Sequence, residues 1–174
     1  MPTSPKPPSA VQVLTLDYLI DGYTDVEEAW AFFENLSRST SPTTILSLSS
    51  VRLHSTGSLA ELTPAPSTWQ MPYEAALVAV LPRDEASLAY ATKKNAGLRY
   101  AFPAVVSVGP YAIRGKLLSS QADIRDLTFL YVYRSLVLRE AEINCLKPGS
   151  QLTGLQAPLA IVHTELLQGI SLQP

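Results

Sequence analysis

Cysteine, charge and long apolar runs are all scarce in this chain of 174 residues. The single cysteine, Cys145, excludes an internal disulfide. Charged residues make up 16% of the sequence, against about 25% in typical soluble domains. No apolar run approaches the ~18 residues of a membrane-spanning helix, and the first residues lack the pattern of a signal peptide. We therefore expect a cytoplasmic protein that does not enter a membrane.

Residues that carry catalysis or bind metals are equally few. The eight glycines are scattered, and none forms a phosphate-binding GxGxxG or GxxxxGK loop. His54, His163 and Cys145 lack the short spacing of a metal site, and no third group is placed to orient a Cys–His pair. The carboxylate pairs Glu27–Glu28 and Asp84–Glu85 fit helix N-termini, where the helix dipole favours negative charge. The sequence thus predicts no enzyme, no metal and no cofactor.

What the chain does contain is a repeated motif. Tyr-x-Ile-x-Gly occurs twice behind a Val-rich segment, with Tyr18 and Tyr111 at an offset of 93 residues. Two later segments also match, at offsets of 90 and 82. We interpret the pattern as a tandem duplication in which loops were shortened between retained elements, because loops tolerate deletions that strands do not. The matched segments are 11–22 with 104–115, 45–53 with 136–143, and 75–80 with 157–162.

Each copy reads as strand, short helix, strand, strand. In the first copy, Thr24 or Asp25 can cap a helix whose apolar residues recur at helical spacing, and Gly22 lets the chain turn away from the preceding strand. Gly97 is placed to end a further helix between the copies. The predicted strands are 11–22, 44–54, 75–81, 105–115, 136–143 and 157–162, and the predicted helices are 26–36, 84–95 and 122–130.

These elements define the expected organisation. Residues 1–10 form a disordered tail, 11–83 the first repeat, 84–103 a helical linker and 104–174 the second repeat. An open sheet of a few strands leaves two unprotected edges, so small units of this kind curl or close. The sequence therefore predicts a mainly β fold with short α-helices (α+β), in which two small curled-sheet or barrel units pack as a pseudo-dimer.

Charge is divided unevenly between the two copies. Residues 1–90 carry four Lys/Arg against ten Asp/Glu, and residues 91–174 carry nine against five, so the halves have net charges of −6 and +4. Opposite charges would attract the halves within one chain or head to tail between chains. Random sequence divergence between the duplicated copies would explain the same net charges. Because a surface poor in charge is often covered by self-association, we expect an oligomer or a protein partner.

Two groups of residues are candidate binding sites. Trp69 and Tyr73 lie in a Pro-rich stretch and are candidate exposed aromatic anchors for a protein partner. Lys93, Lys94 and Arg99 belong to a basic patch that is interleaved with tyrosines and could bind phosphates while the rings stack on bases. The leading hypothesis is a non-enzymatic interaction or scaffold protein, and the alternative is a nucleic-acid-binding protein. The patch also includes Arg114 and Lys116, with Tyr90, Tyr100 and Tyr111.

The repeat resembles an uncharacterised group of short bacterial proteins with the pattern Val-x-Thr-x-x-Tyr-x-Ile-x-Gly. That resemblance implies a fold and no established activity. A looser resemblance to Sm-like small barrels, through Gly115-Lys116-Leu117, implies RNA binding, but the final turn offers only Gln168-Gly169 in place of the family's basic turn. The motif residues are Val13, Thr15, Tyr18, Ile20 and Gly22 in one copy and Val105, Val108, Tyr111, Ile113 and Gly115 in the other.

Overall fold

The computed structural model describes residues 9–25, 45–64, 66–72, 75–81, 85–124 and 135–173. This part of the chain holds ten strands, one α-helix and a short 3-10 turn at Thr164–Leu166. The strands are β1 Ser9–Leu14, β2 Tyr18–Thr24, β3 Ile45–Ser55, β4 Thr68–Pro72, β5 Val78–Leu81, β6 Tyr100–Val108, β7 Tyr111–Ser119, β8 Ser135–Cys145, β9 Leu155–His163 and β10 Leu167–Leu172; the helix is α1 Glu85–Lys94.

The strands form two five-stranded antiparallel halves that share one ladder. Their hydrogen-bonded order is β10-β6-β7-β8-β9-β5-β1-β2-β3-β4. The first half comprises β1 to β5 and the second half comprises β6 to β10. The halves meet where β5 pairs with β9, from Val78 opposite Val162 to Leu81 opposite Leu159. Main-chain hydrogen bonds therefore run without interruption from one half into the other.

The two halves have the same connectivity. In each, four strands follow one another as a meander and the fifth returns to pair with the first. The motif residues occupy the same places: Tyr18 and Tyr111 begin β2 and β7, and the pairing register shifts at Gly22 and at Gly115. Gly22 therefore sits at a β-bulge inside a strand, and the prediction that the chain turns away there is wrong.

The register also corrects the third sequence match. Trp69 lies opposite Leu48, and Ala160 lies opposite Leu138, so β9 is the counterpart of β4 at an offset of 91. Ala79 and Ile170 pair with the equivalent strands β1 and β6, which gives the same offset for β5 and β10. The predicted match of 75–80 with 157–162 is wrong, because short apolar strands resemble each other whatever their place in the sheet.

The predicted fold class is wrong. Strands account for 61% of the structure and helices for 8%, so the fold is nearly all β rather than α+β with short helices, and neither half closes into a barrel. The segments 11–22 and 105–115, predicted as single strands, fold as hairpins with turns at 15–17 and 109–110. The predicted helix 26–36 and most of 122–130 lie outside the described residues, and 122–124 are not helical. The predicted helix 84–95 coincides with α1.

Two hydrophobic cores lie on opposite faces of the sheet. Neighbouring residues of the joining strands point to different cores: Val13 and Ile161 to the first core, and Leu14 and Val162 to the second. Successive side chains of a strand face opposite sides, so these joining strands contribute to both cores. The first core consists mainly of residues from β1 to β4, and the second mainly of residues from β6 to β9.

Candidate functional site

The second core is completed by residues of the first half. Leu14, Leu19, Leu77 and Val78 are all buried within it. They come from the β1–β2 hairpin and from the start of β5, which places an extended segment of the first half against the open side of the second. The second half therefore holds a polypeptide strand by a main-chain ladder and by apolar side chains together.

Tyr111 marks the centre of this junction. Its side chain is fully buried, and its hydroxyl donates a hydrogen bond to the carbonyl oxygen of Thr15 at 2.5 Å. Burial, reinforced by nearby Cys145, raises the pKa of Tyr111 well above the usual range of a phenol. The hydroxyl consequently stays protonated and remains a donor to the first half at every physiological pH.

Polar contacts surround the buried junction. The Lys147 ammonium lies 2.7 Å from Asp17 Oδ1 and also donates to the carbonyl oxygen of Leu16. Ser150 Oγ donates to the carbonyl oxygen of Thr56 at 2.5 Å. The loop that follows β8 is thus tied to the turns that follow β1 and β3, and these contacts fix how the two halves sit against each other.

The equivalent place on the first half is an open groove. It has a volume of about 310 Å³ and is lined by Leu16, Tyr18, Trp69 and Leu166 together with neighbouring residues. Leu16, Tyr18 and Leu166 are 55%, 39% and 42% exposed. Apolar side chains that remain exposed together commonly mark a binding surface. We call this feature, defined by these four residues, the Trp69 groove.

Strand β4 forms one wall of the Trp69 groove. Met71 is buried in the first core, and Trp69 packs against that core while part of its side chain remains exposed. Pro72, which has no backbone N–H, ends the strand at the sheet edge, where a missing donor is tolerated. Among the described strands, β4 pairs with β3 alone, so its second edge offers free backbone groups beside the groove.

The predicted binding residues are dispersed. Trp69 lines the groove, whereas Tyr73 lies outside the described residues. Lys93 and Arg99 are exposed on α1 and on the segment that precedes β6, and Lys94 is the last residue of α1. None of these three basic residues is among the described lining of the Trp69 groove.

Two cations of the predicted basic patch face carboxylates. Lys116 lies 2.5 Å from Glu140, and this contact holds the pKa of the Glu140 carboxyl below its usual value. Arg114 lies opposite Glu142 across the β7–β8 ladder. The patch therefore presents less free positive charge to a phosphate backbone than the sequence indicates.

A polar cluster on strands β1 to β3 was not predicted. Asp21 accepts a hydrogen bond from Gln12 at 2.6 Å and lies 3.2 Å from His54 Nε2. Arg52 approaches the same carboxylate at 4.0 Å. The register of β2 against β3 creates the cluster, and no sequence spacing shows it. Cys145 is buried in the second core, so it does not join His54 in a reactive pair.

His163 lies at the end of β9, on the side of the sheet that faces away from the second core. Its side chain is almost fully buried, and burial lowers its pKa, with Glu165 acting in the opposite direction. Within the described part of the chain, no three His, Cys, Asp or Glu residues converge to hold a metal ion. The arrangement around His163 supports a structural role.

The fold and the groove define a nearly all-β protein with an apolar groove beside β4, an edge strand among the described strands. Comparison of the chain with protein-family models, with curated proteins and with solved structures found no match. Of the helices that the structure describes, none is long and apolar enough to cross a membrane. The sequence analysis missed Leu16, Tyr18 and Leu166 as groove residues. Tyr18 belongs to the repeated motif, but no sequence signal distinguishes the exposed Tyr18 from its buried counterpart Tyr111.

Proposed function

We propose that the chain is a non-enzymatic interaction protein that binds an extended polypeptide in the Trp69 groove and along the free edge of β4. One observation carries the proposal: the second half already holds such a strand at the equivalent place. There β5 pairs with β9 while Leu77 and Val78 enter the second core. The first half has the counterpart strand, β4, without a strand paired along its outer edge in the described residues.

The binding mode follows from these parts. A peptide that adds a strand to a sheet edge gains affinity from main-chain hydrogen bonds, and pockets for alternate side chains provide specificity. Here β4 would supply the main-chain groups, and the groove would receive the side chains on one face of the added strand. Trp and Tyr dominate binding energy at many interfaces, so Trp69 and Tyr18 are the expected anchors.

Two exposed leucines at the groove provide a test that spares the cores. In the variant Leu16→Asp/Leu166→Asp, both groove leucines become charged, and we expect at least a tenfold loss in the capture of partners from native lysate. The matched control is Leu62→Asp/Leu146→Asp, because Leu62 and Leu146 are likewise exposed and do not line the groove. Circular dichroism and thermal melting establish that both variants fold.

The outcomes separate the candidate functions. Partners captured by the wild type and the control, and lost from the groove variant, support the proposal. Equal capture by both variants overturns it. Partners that disappear after nuclease treatment instead favour the nucleic-acid alternative, in which Lys93, Lys94 and Arg99 act. That binding would be steeply salt-dependent, since it releases counterions from phosphates.

A further inference from the structure

We propose that the strand bound at the Trp69 groove is β10 of a second copy of this chain, so that copies join head to tail. The inference rests on the proposed function and names its partner. Each chain contains one junction of this kind within itself, where the edge of β9 meets the edge of β5. In the connectivity of the halves, β4 is the counterpart of β9 and β10 is the counterpart of β5.

The two ends of the sheet are therefore complementary edges. As far as the structure describes the chain, β4 pairs only with β3 and β10 pairs only with β6. The free edge of β4 corresponds to the edge by which β9 pairs with β5. The free edge of β10 corresponds to the edge by which β5 pairs with β9. Two copies can thus repeat between chains the junction that each already forms internally. Such a contact joins different surfaces of the two copies and produces either a closed ring or a filament.

The internal ladder fixes the register of the proposed one. Within the chain, Ala79 lies opposite Ile161, and the other pairs follow in antiparallel order. The offset of 91 residues places Ile170 at the position of Ala79 and Gln70 at the position of Ile161. The proposed intermolecular pairs are Thr68 with Leu172, Trp69 with Ser171, Gln70 with Ile170, and Met71 with Gly169.

Side-chain size supports this register. The internal junction places two valines of equal size opposite each other, Val78 and Val162. At the corresponding place between chains, Met71 meets Gly169, which has no side chain. Two positions further along, Trp69 meets Ser171. On this face the large residues stand on the β4 edge and the small exposed ones on the β10 edge, whereas on the other face Gln70 meets Ile170 and Thr68 meets Leu172.

The hairpin turns show the same exchange of large and small residues. In the internal junction, Gly109 of the second half lies so close to Leu77 that an added Cβ would approach the leucine side chain to 2.9 Å. The counterpart of Gly109 is the exposed Leu16, and the counterpart of Leu77 is the exposed Gln168. As with Met71 and Trp69, the bulky residue lies on the groove side and faces a more polar and flexible one.

Charge favours the same arrangement. Residues 1–90 carry a net charge of −6 and residues 91–174 a net charge of +4. Joining β4 of one copy to β10 of the next brings an acidic half against a basic half, as inside each chain. Opposite net charges accelerate such an encounter and oppose contact between two identical halves.

Disulfide trapping tests the register directly. In a Cys145→Ser background, the double variant Gln70→Cys/Ile170→Cys should form a ladder of covalent oligomers under mild oxidation, because the two positions are predicted to be opposite. The matched control is Gln70→Cys/Gly169→Cys, since residue 169 is displaced by one and faces the other side of the sheet. An equimolar mixture of the single variants Gln70→Cys and Ile170→Cys should stop at the dimer.

A second variant tests the inference without relying on disulfide formation between copies. Ser171→Arg places a large charged side chain opposite Trp69, and light scattering should then show a shift from oligomer to monomer. Thr153→Arg is the matched control, because Thr153 is exposed in the loop that precedes β9. The inference is overturned if the wild type is monomeric at tens of micromolar, or if the 70/170 and 70/169 pairs oxidise equally.

Failure of this inference is distinguishable from failure of the proposed function. If Leu16→Asp/Leu166→Asp abolishes capture of other proteins while two differently tagged copies never associate, the groove binds a foreign strand and the self-association inference is wrong. If copies associate but neither the groove variant nor Ser171→Arg weakens them, assembly uses another surface and the self-association inference is wrong, while the capture of other proteins by the groove variant decides the proposed function separately.

Discussion

Tyr18 and Tyr111 each begin the second strand of their half, yet Tyr111 is fully buried and Tyr18 is 39% exposed. The difference comes from what lies against each ring. The β1–β2 hairpin of the first half covers Tyr111, whereas Tyr18 lines an open groove. The same motif residue thus lies buried between the halves in one copy and borders an open groove in the other.

Removal of the Tyr111 hydroxyl should weaken the junction. Tyr111→Phe deletes the hydrogen bond to the carbonyl oxygen of Thr15 and leaves that carbonyl without this donor. We expect a loss of about 1–3 kcal/mol in the free energy of unfolding, measured by urea denaturation. Tyr18→Phe is the control and should change stability by less than about 0.5 kcal/mol. Equal effects would show that the hydroxyl of Tyr111 does not hold the halves together.

We expect Leu77, which lies just before the short strand β5, to contribute strongly to the free energy of unfolding. It is buried in the second core although it belongs to the first half. Leu77→Ala is expected to cost about 2–5 kcal/mol, because it leaves a cavity between the halves. Leu16→Ala, at a residue that is 55% exposed, should have little effect on stability. Differential scanning calorimetry of both variants tests the contrast.

The bulge glycines should not tolerate a methyl group. A Cβ on Gly115 would lie 3.0 Å from the carbonyl oxygen of Arg139 and 3.2 Å from the Cα of Ala141, so β7 and β8 would have to separate. Gly115→Ala should destabilise the fold by about 1–3 kcal/mol. Nothing lies within 4 Å of the same position on Gly97, and Gly97→Ala should be neutral or slightly stabilising.

Burial of His163 should make stability depend on pH. Its pKa is lower in the folded state than the unfolded value of 6.5, so the unfolded chain binds more protons near and below that pH. The contribution of this residue is therefore present above pH 6.5 and is lost as the pH falls towards the folded pKa. His163→Gln should flatten the fall in unfolding free energy between pH 7.5 and 5.5. Parallel curves for wild type and variant would contradict this.

The sequence predicted individual strands better than their arrangement. Strand β3 was predicted from its content of Ile, Leu and Val, and β8 from its match to the same segment of the first copy. Strands β4 and β10 were missed, since they hold five and six residues and their polar residues do not alternate clearly. The prediction of two separate curled-sheet or barrel units is wrong because the halves pair edge to edge and form one sheet. Such pairing leaves no local signal in the sequence.

The candidate site was predictable only in part. Trp69 was predicted as an anchor from its Pro-rich surroundings, and it does line the groove. Leu16 and Leu166 are separated by 150 positions and meet only because the turns of the two halves pack together. Sequence spacing cannot show such an encounter. Sequence spacing also cannot show that Lys116 pairs with Glu140, or that Arg114 lies opposite Glu142, because both carboxylates come from a neighbouring strand.

The ladder between β5 and β9 has a consequence for synthesis of the protein. Strand β5 leaves the ribosome about 80 residues before its partner β9, as the pairing of Val78 with Val162 shows. Until then the nascent chain carries an unpaired edge and uncovered Leu77 and Val78 side chains, the features that favour aggregation. Pairs so distant in sequence also slow folding. The interval during translation, rather than the finished fold, is when this protein is most vulnerable.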